Sequence, residues 1–100
     1  MGTYKILYLP LAEKDLLEIL QYIHRDRPGV AFELLEKINE SISRLEEFPL
    51  SGAVSRDRYL QRLGYRILTV DKILVFYVSR GKTVEIRRIL HGARRYEFLL

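Results

Sequence analysis

Residues Tyr65 to Tyr96 read YRILTVDKILVFYVSRGKTVEIRRILHGARRY, and their pattern decides the fold. Three apolar runs, Tyr65–Val70, Ile73–Ser79 and Thr83–Leu90, are separated by Asp71-Lys72 and Arg80-Gly81-Lys82. Runs of this length, rich in Val, Ile, Tyr, Phe and Thr and bounded by Asp and Gly, read as strands. Breaks this short permit only antiparallel hairpins. The middle run, ILVFYV, is apolar at every position, whereas a strand with one wet face alternates. It therefore wants cover above and below.

Upstream of this stretch the spacing changes. Tyr4–Leu9 is a short strand with its tyrosines and Ile6 on one face, stopped by Pro10 at a helix start. Ala12, Leu16, Ile19, Leu20 and Ile23 recur at helical spacing. Pro28 opens a second helix with an unbroken stripe of Ala31, Leu34, Leu35, Ile38, Ile42 and Leu45, ending before Phe48-Pro49. Two amphipathic helices joined by a few residues form an antiparallel hairpin, which clothes one face of a sheet. Leu50–Tyr59 shows no periodicity and reads as a mobile polar loop, basic at Arg56 and Arg58. The expected fold is a single α+β domain over residues 1–100, ordered β-α-α-β-β-β: a mainly antiparallel four-stranded sheet with the hairpin on one face. Nothing remains to cover the other face, so part of Ile73–Val78 is expected to stay exposed. A contiguous exposed apolar patch marks a binding surface, unless the tail folds back over it or two copies of the chain pair there.

Composition narrows the class. The chain has 48% hydrophobic and 30% charged residues, the balance of a globular protein. No apolar run approaches a membrane span, and MGTYKILYLP lacks a secretory n-region and h-region. Cysteine is absent, which excludes thiolate metal sites and disulfides and fits a cytoplasmic location. Two histidines far apart, His24 and His91, argue against zinc, and no cofactor motif is present. The net charge of +4 favours acidic partners. Arg80, Lys82, Arg87, Arg88, Arg94 and Arg95 against Glu85 alone place the expected cationic face at the end of the sheet.

The strand–helix–helix–three-strand order, with VDKILVFYV and then VEIRRILHGARR, resembles the RelE/ParE superfamily of bacterial type II toxin–antitoxin toxins, on its ParE-like, plasmid-stabilisation side. Ala12, Leu16, Ile19, Tyr22, Pro28, Ala31, Leu45, Pro49 and Gly52 agree with it. The resemblance implies a toxin neutralised by a cognate antitoxin lying across the bare sheet face, at Ile73, Val75, Tyr77, Phe98 and Leu99. Promoter DNA would be met only through that antitoxin. ParE-like members inhibit DNA gyrase by binding; RelE-like members cut mRNA on the ribosome. Leu74 stands where RelE-like enzymes place an arginine, and the chain ends Phe98-Leu99-Leu100 rather than in a His–Tyr pair. Both departures favour the gyrase side. If the chain is a metal-independent endoribonuclease instead, Arg94, His91, Tyr96 and Glu85 are its acid–base and phosphate-binding groups. A non-toxic domain that keeps only the antitoxin contact is the third reading.

The expected target-binding set is Arg87, His91, Arg94, Arg95 and Tyr96, the last three forming a basic–aromatic tail. By strand alternation Arg87 shares a face with Glu85 and His91, and Glu85 is expected as its surface ion-pair partner. Arg88 shares the other face with Val84, Ile86 and Leu90; on an apolar face it either pairs with a carboxylate from a helix, the favoured reading, or reaches out to bind a partner.

Overall fold

The computed structural model describes residues 3–92. Strand β1 (Lys5–Tyr8) leads into helix α1 (Pro10–His24), and α2 (Pro28–Ser43) runs on into a 3₁₀ turn over Arg44–Glu46. Both helices start on proline, whose fixed φ and missing N–H suit a first turn. Then follow β2 (Ala53–Val54), the short helix α3 (Arg58–Arg62), β3 (Tyr65–Val70), β4 (Ile73–Arg80) and β5 (Thr83–His91). The sheet order is β1-β5-β4-β3-β2, with β1 parallel to β5 and every other pair antiparallel. The sheet is thus the expected one with a fifth strand added at its edge. Both hairpins turn on a first residue of positive φ, Asp71 at 54° and Gly81 at 57°, the geometry that matches strand twist. Among the described residues no helix is long and apolar enough to cross a membrane.

The apolar stripes of the helices pack on one sheet face. Ala12, Leu34, Ile38, Ile42 and Leu45 bury against Val75, Tyr77, Val84, Ile86 and Ile89, with Ile6 and Tyr8 of β1 and Tyr4 just before it completing that core. The opposite face carries a smaller cluster of Leu60, Tyr65, Phe76, Val78 and Leu90, flanked by Ile67 and Leu74. Two expectations fall here. Ile73, Val75 and Tyr77, assigned to a bare face, are 3%, 0% and 0% exposed and lie under the helices. Alternation leaves only one choice of parity, and the helices sit over the odd-numbered side chains of β4. Nor is the even-numbered face bare, since Phe76 and Val78 are 0% and 3% exposed. Part of that cover comes from Leu60 of α3, in a segment without apolar periodicity.

That segment is held by polar contacts. The Gly52 N–H donates to the Tyr77 hydroxyl at 2.9 Å, and Arg66 Nη1 donates to the carbonyls of Leu50 (3.1 Å) and Gly52 (2.9 Å). Buried Ser55 accepts the Asp57 N–H at its hydroxyl and the Gln61 Nε2 donor at its carbonyl. Asp57 Oδ1 accepts the Leu60 N–H and caps α3. The expected mobile loop over Leu50–Tyr59 therefore contains β2 and the start of α3.

Two outcomes are expected from the Tyr77 lock. A Cβ at Gly52 would lie 2.6 Å from the Tyr77 Oη and 2.7 Å from its Cε1, and the buried ring has nowhere to go. Gly52→Ala should cost about 1–3 kcal/mol, as overpacking does, and lower Tm by at least ~4 °C; an unchanged Tm contradicts the lock. Burial also pushes the Tyr77 phenol above its ordinary 10.0, outweighing the Gly52 N–H and the Arg66 charge, which pull it down; burial raises Tyr8 likewise. Each holds its proton more tightly folded than unfolded, so stability is full below the unfolded value and is lost as pH rises through the folded one. Urea unfolding between about pH 8 and about pH 11 should show that decline, shallower in Tyr77→Phe by up to ~1.4 kcal/mol per pH unit.

Candidate functional site

Strand β5 gathers most of the charged candidates, and its outer edge determines how they lie. β1 covers that edge only as far as the Tyr8–Ile86 pair, after which Pro10 turns the chain into α1. The Leu9 N–H still reaches the Ile86 carbonyl at 2.9 Å. Beyond it, Asp15 of α1 takes over. Its Oδ2 accepts the Ile89 N–H at 3.0 Å and Arg88 Nε at 2.7 Å, and its Oδ1 accepts Arg88 Nη2 at 2.9 Å. The two side chains are 11% and 15% exposed, so the pair is largely withdrawn from water. The hydrogen bonds it donates to Asp15, together with the carboxylate's charge, hold the Arg88 guanidinium even more firmly protonated than usual, against the opposing effect of burial. The carboxylate expected from a helix is this one.

At the same place the ladder skips a residue. Phe76 pairs with Arg88 but Tyr77 pairs with Ile86, leaving Arg87 as a bulge. The expected alternation breaks there. Ile89, not Arg88, joins Val84 and Ile86 against the helices, while Arg88 stands opposite Phe76. Arg87 Nη2 donates to Glu85 Oε1 at 2.7 Å, and its guanidinium lies 5.7 Å from the centre of the Tyr65 ring. Burial opposes the Arg87 charge, but the bond to Glu85 and the Tyr65 phenol more than offset it, so its pKa is raised. The expected surface pair is half enclosed, with Arg87 26% and Glu85 21% exposed. The Arg87 Nε is buried and has no hydrogen-bond partner among the described residues.

His91 is exposed at the far end of β5, opposite Ile73. The Gly92 N–H donates to the Lys72 carbonyl at 2.7 Å and closes the strand end on the β3–β4 turn. His91 borders a shallow cavity of about 300 Å³ whose walls include Ile23, Glu33 and the Lys37–Asp71 ion pair. It lies six residue steps along the strand from Glu85, about 20 Å of extended chain. Leu74, apolar as read, pairs with Leu90 on the second face. Arg94, Arg95, Tyr96, Phe98 and Leu99 lie outside the described residues.

The single cationic face expected at one end of the sheet is split. Arg80 and Lys82 flank the β4–β5 turn, with Lys82 over the Tyr4 ring at 5.5 Å; His91 ends β5 on the opposite side. Arg87 and Arg88 between them are each matched by a carboxylate. Among the described residues no three His, Asp or Glu side chains cluster in a way that would hold a metal. Asp15 was missed from sequence, although a signal exists. It lies three residues after Ala12 and four before Ile19, on the border of the buried stripe, where a lone carboxylate needs a donor.

With the geometry in place, the comparisons bear on identity. The family model for the ParE toxin of the type II toxin–antitoxin system parDE matches residues 6–96. A Sinorhizobium fredii (strain NBRC 101917 / NGR234) protein named as a candidate toxin, Y4kP, is 27% identical over 100 residues, spanning 100% of both chains. A chain of the chromosomal ParDE system from P. aeruginosa superposes with a TM-score of 0.73 at 21% identity, covering 89% of this chain and 96% of that one. A chain of the RelBE2 toxin–antitoxin complex from Mycobacterium tuberculosis gives 0.61 at 23% identity, covering 94% and 97%. At these identities the two structures speak for the fold. The family match spans nearly the whole chain, and the chain belongs to the ParE toxin family of type II toxin–antitoxin systems.

Proposed function

We propose that this toxin acts by binding DNA gyrase and does no chemistry of its own, and that a cognate antitoxin neutralises it in the cytoplasm. One observation carries the reading. Metal-free RNA cleavage needs a base and an acid within hydrogen-bond reach of the same phosphodiester. Glu85 and His91, the described acid–base candidates, stand at opposite ends of β5, about 20 Å apart, and the Glu85 carboxylate is already taken by Arg87. Leu74 supplies no charge for a phosphorane. Arg87 and His91, with Arg94, Arg95 and Tyr96 of the tail, are better suited to a binding surface.

The antitoxin surface needs relocating, because Ile73, Val75 and Tyr77 are buried. The helical hairpin offers an alternative. An open cleft of about 610 Å³, lined by Leu20, His24, Arg25, Ala31, Phe32 and Leu35, lies at its turn. Phe32 beside it is 63% exposed. An apolar cleft with a basic rim suits an amphipathic acidic segment, and both solved neighbours come from toxin–antitoxin systems.

Purified toxin should inhibit supercoiling by gyrase and leave mRNA intact in a translating extract. Arg94→Ala should weaken that inhibition about tenfold or more while antitoxin affinity stays within a few-fold, as expected for a charge used only on the target. Codon-spaced mRNA cleavage with gyrase unaffected would overturn the reading in favour of the ribonuclease.

A further inference from the structure

Helix α3 has features that neither the fold nor the toxin reading uses. Leu60 is its buried anchor, 2% exposed, and around it everything faces water. Arg56, Arg58 and Arg62 are exposed and make no ion pair among the described residues, unlike Arg44, Arg87 and Arg88, each of which has a carboxylate. Asp57, the single carboxylate in this segment, takes the Leu60 N–H as the helix cap. Arg58 and Arg62 are one turn apart, about 6 Å along the axis. Beside them lies apolar surface: Tyr59 is 63% exposed, Val54 50% and Leu63 44%. The mount is firm, since the Ser55, Asp57 and Gln61 bonds fix the helix start and Leu60 sits in the second-face cluster.

We infer that α3 with its flanking residues is a platform for an unpaired nucleic-acid strand, held by its phosphates and base faces without regard to sequence or sugar. Arginines suit phosphate oxygens, and an exposed tyrosine offers a face for a base. The apolar surface decides against a duplex, whose bases are stacked away from reach. It equally gives the patch more than a string of charges alone would need. The contacts called on, phosphate oxygens and base faces, are common to both sugars, and the Gln61 Nε2 and the Ser55 hydroxyl are engaged within the turn, so deoxyribose and ribose strands should be held alike. The inference is independent of the gyrase reading, and its failure leaves that reading untouched.

The test is fluorescence anisotropy on the purified full chain. The probes are oligo(dT) and oligo(U) of about 20 nucleotides, long enough for one site, a duplex of equal length, and a polyglutamate peptide. The two single strands should bind with equal affinity and above the duplex and the peptide. Three phosphate contacts contribute about −2 to the slope of log K against log salt, so Arg58→Ala/Arg62→Ala should flatten it by about 1.4. Arg58→Lys/Arg62→Lys keeps the charge and should keep the slope. Tyr59→Ala should weaken binding about 10-fold and Tyr59→Phe hardly at all. The tail residues Arg94–Tyr96 are unchanged throughout, so only the difference between variants is read. All three positions are solvent-facing, and matched thermal unfolding checks that the variants fold. A slope indifferent to the arginines, RNA bound far above DNA, a preference for duplex, or tightest binding to polyglutamate each overturns the platform.

Discussion

The Asp15 carboxylate is the joint on which this structure turns. A strand edge with unmet N–H groups is a site for unwanted pairing, and β5 acquires one where β1 gives way to α1. Asp15 closes it by accepting the Ile89 N–H, and with its remaining capacity it draws in Arg88. Three donors on one carboxylate tie the first helix to the strand that carries the charged candidates. Taking two charges out of water is costly, and removing one partner of such a pair typically costs about 3–5 kcal/mol. The joint is therefore an unforgiving one: neither residue can change alone.

The bulge beside it has wider effects than its size suggests. One extra residue at Arg87 lets Ile89 return to the helix face after Ile86 while Arg88 stays at the edge near Asp15. It also brings Arg87 over Tyr65 and against Glu85. The sheet's second face thus becomes a small apolar floor with a partly enclosed ion pair, not the bare surface that a count of layers suggests. Among the described residues that face is already covered, so no partner chain is needed to bury Phe76 and Val78.

How much of this was legible in the sequence follows from what kind of signal each element leaves. Both helices and the three long strands were readable because burying a face imposes a period, as Ala31-Leu34-Ile38-Ile42 and ILVFYV display. The turns were readable from Asp71 and Gly81. The two-residue β2 and five-residue α3 were not, since they are held by Tyr77, Arg66, Ser55 and Asp57 through polar contacts from distant positions. The bulge leaves no mark in a run of alternating residues, so the faces assigned to Arg87 and Arg88 could not both be right. The parity of β4 was equally hidden, because a run apolar on both faces does not say which face meets the helices. The candidate site was the least legible part: a helix carboxylate for Arg88 was the favoured of two readings, but Asp15, in another element 73 residues away, was not singled out.

The most direct test of this account is a double-mutant cycle on Asp15→Ala and Arg88→Ala, with stability measured by urea unfolding. If Asp15 joins helix to strand through Arg88, the two losses should be far from additive, with a coupling of at least ~2 kcal/mol for a pair so little exposed. Losses that add to within about 0.5 kcal/mol would show the two residues acting independently and remove the joint on which the arrangement of β5 depends.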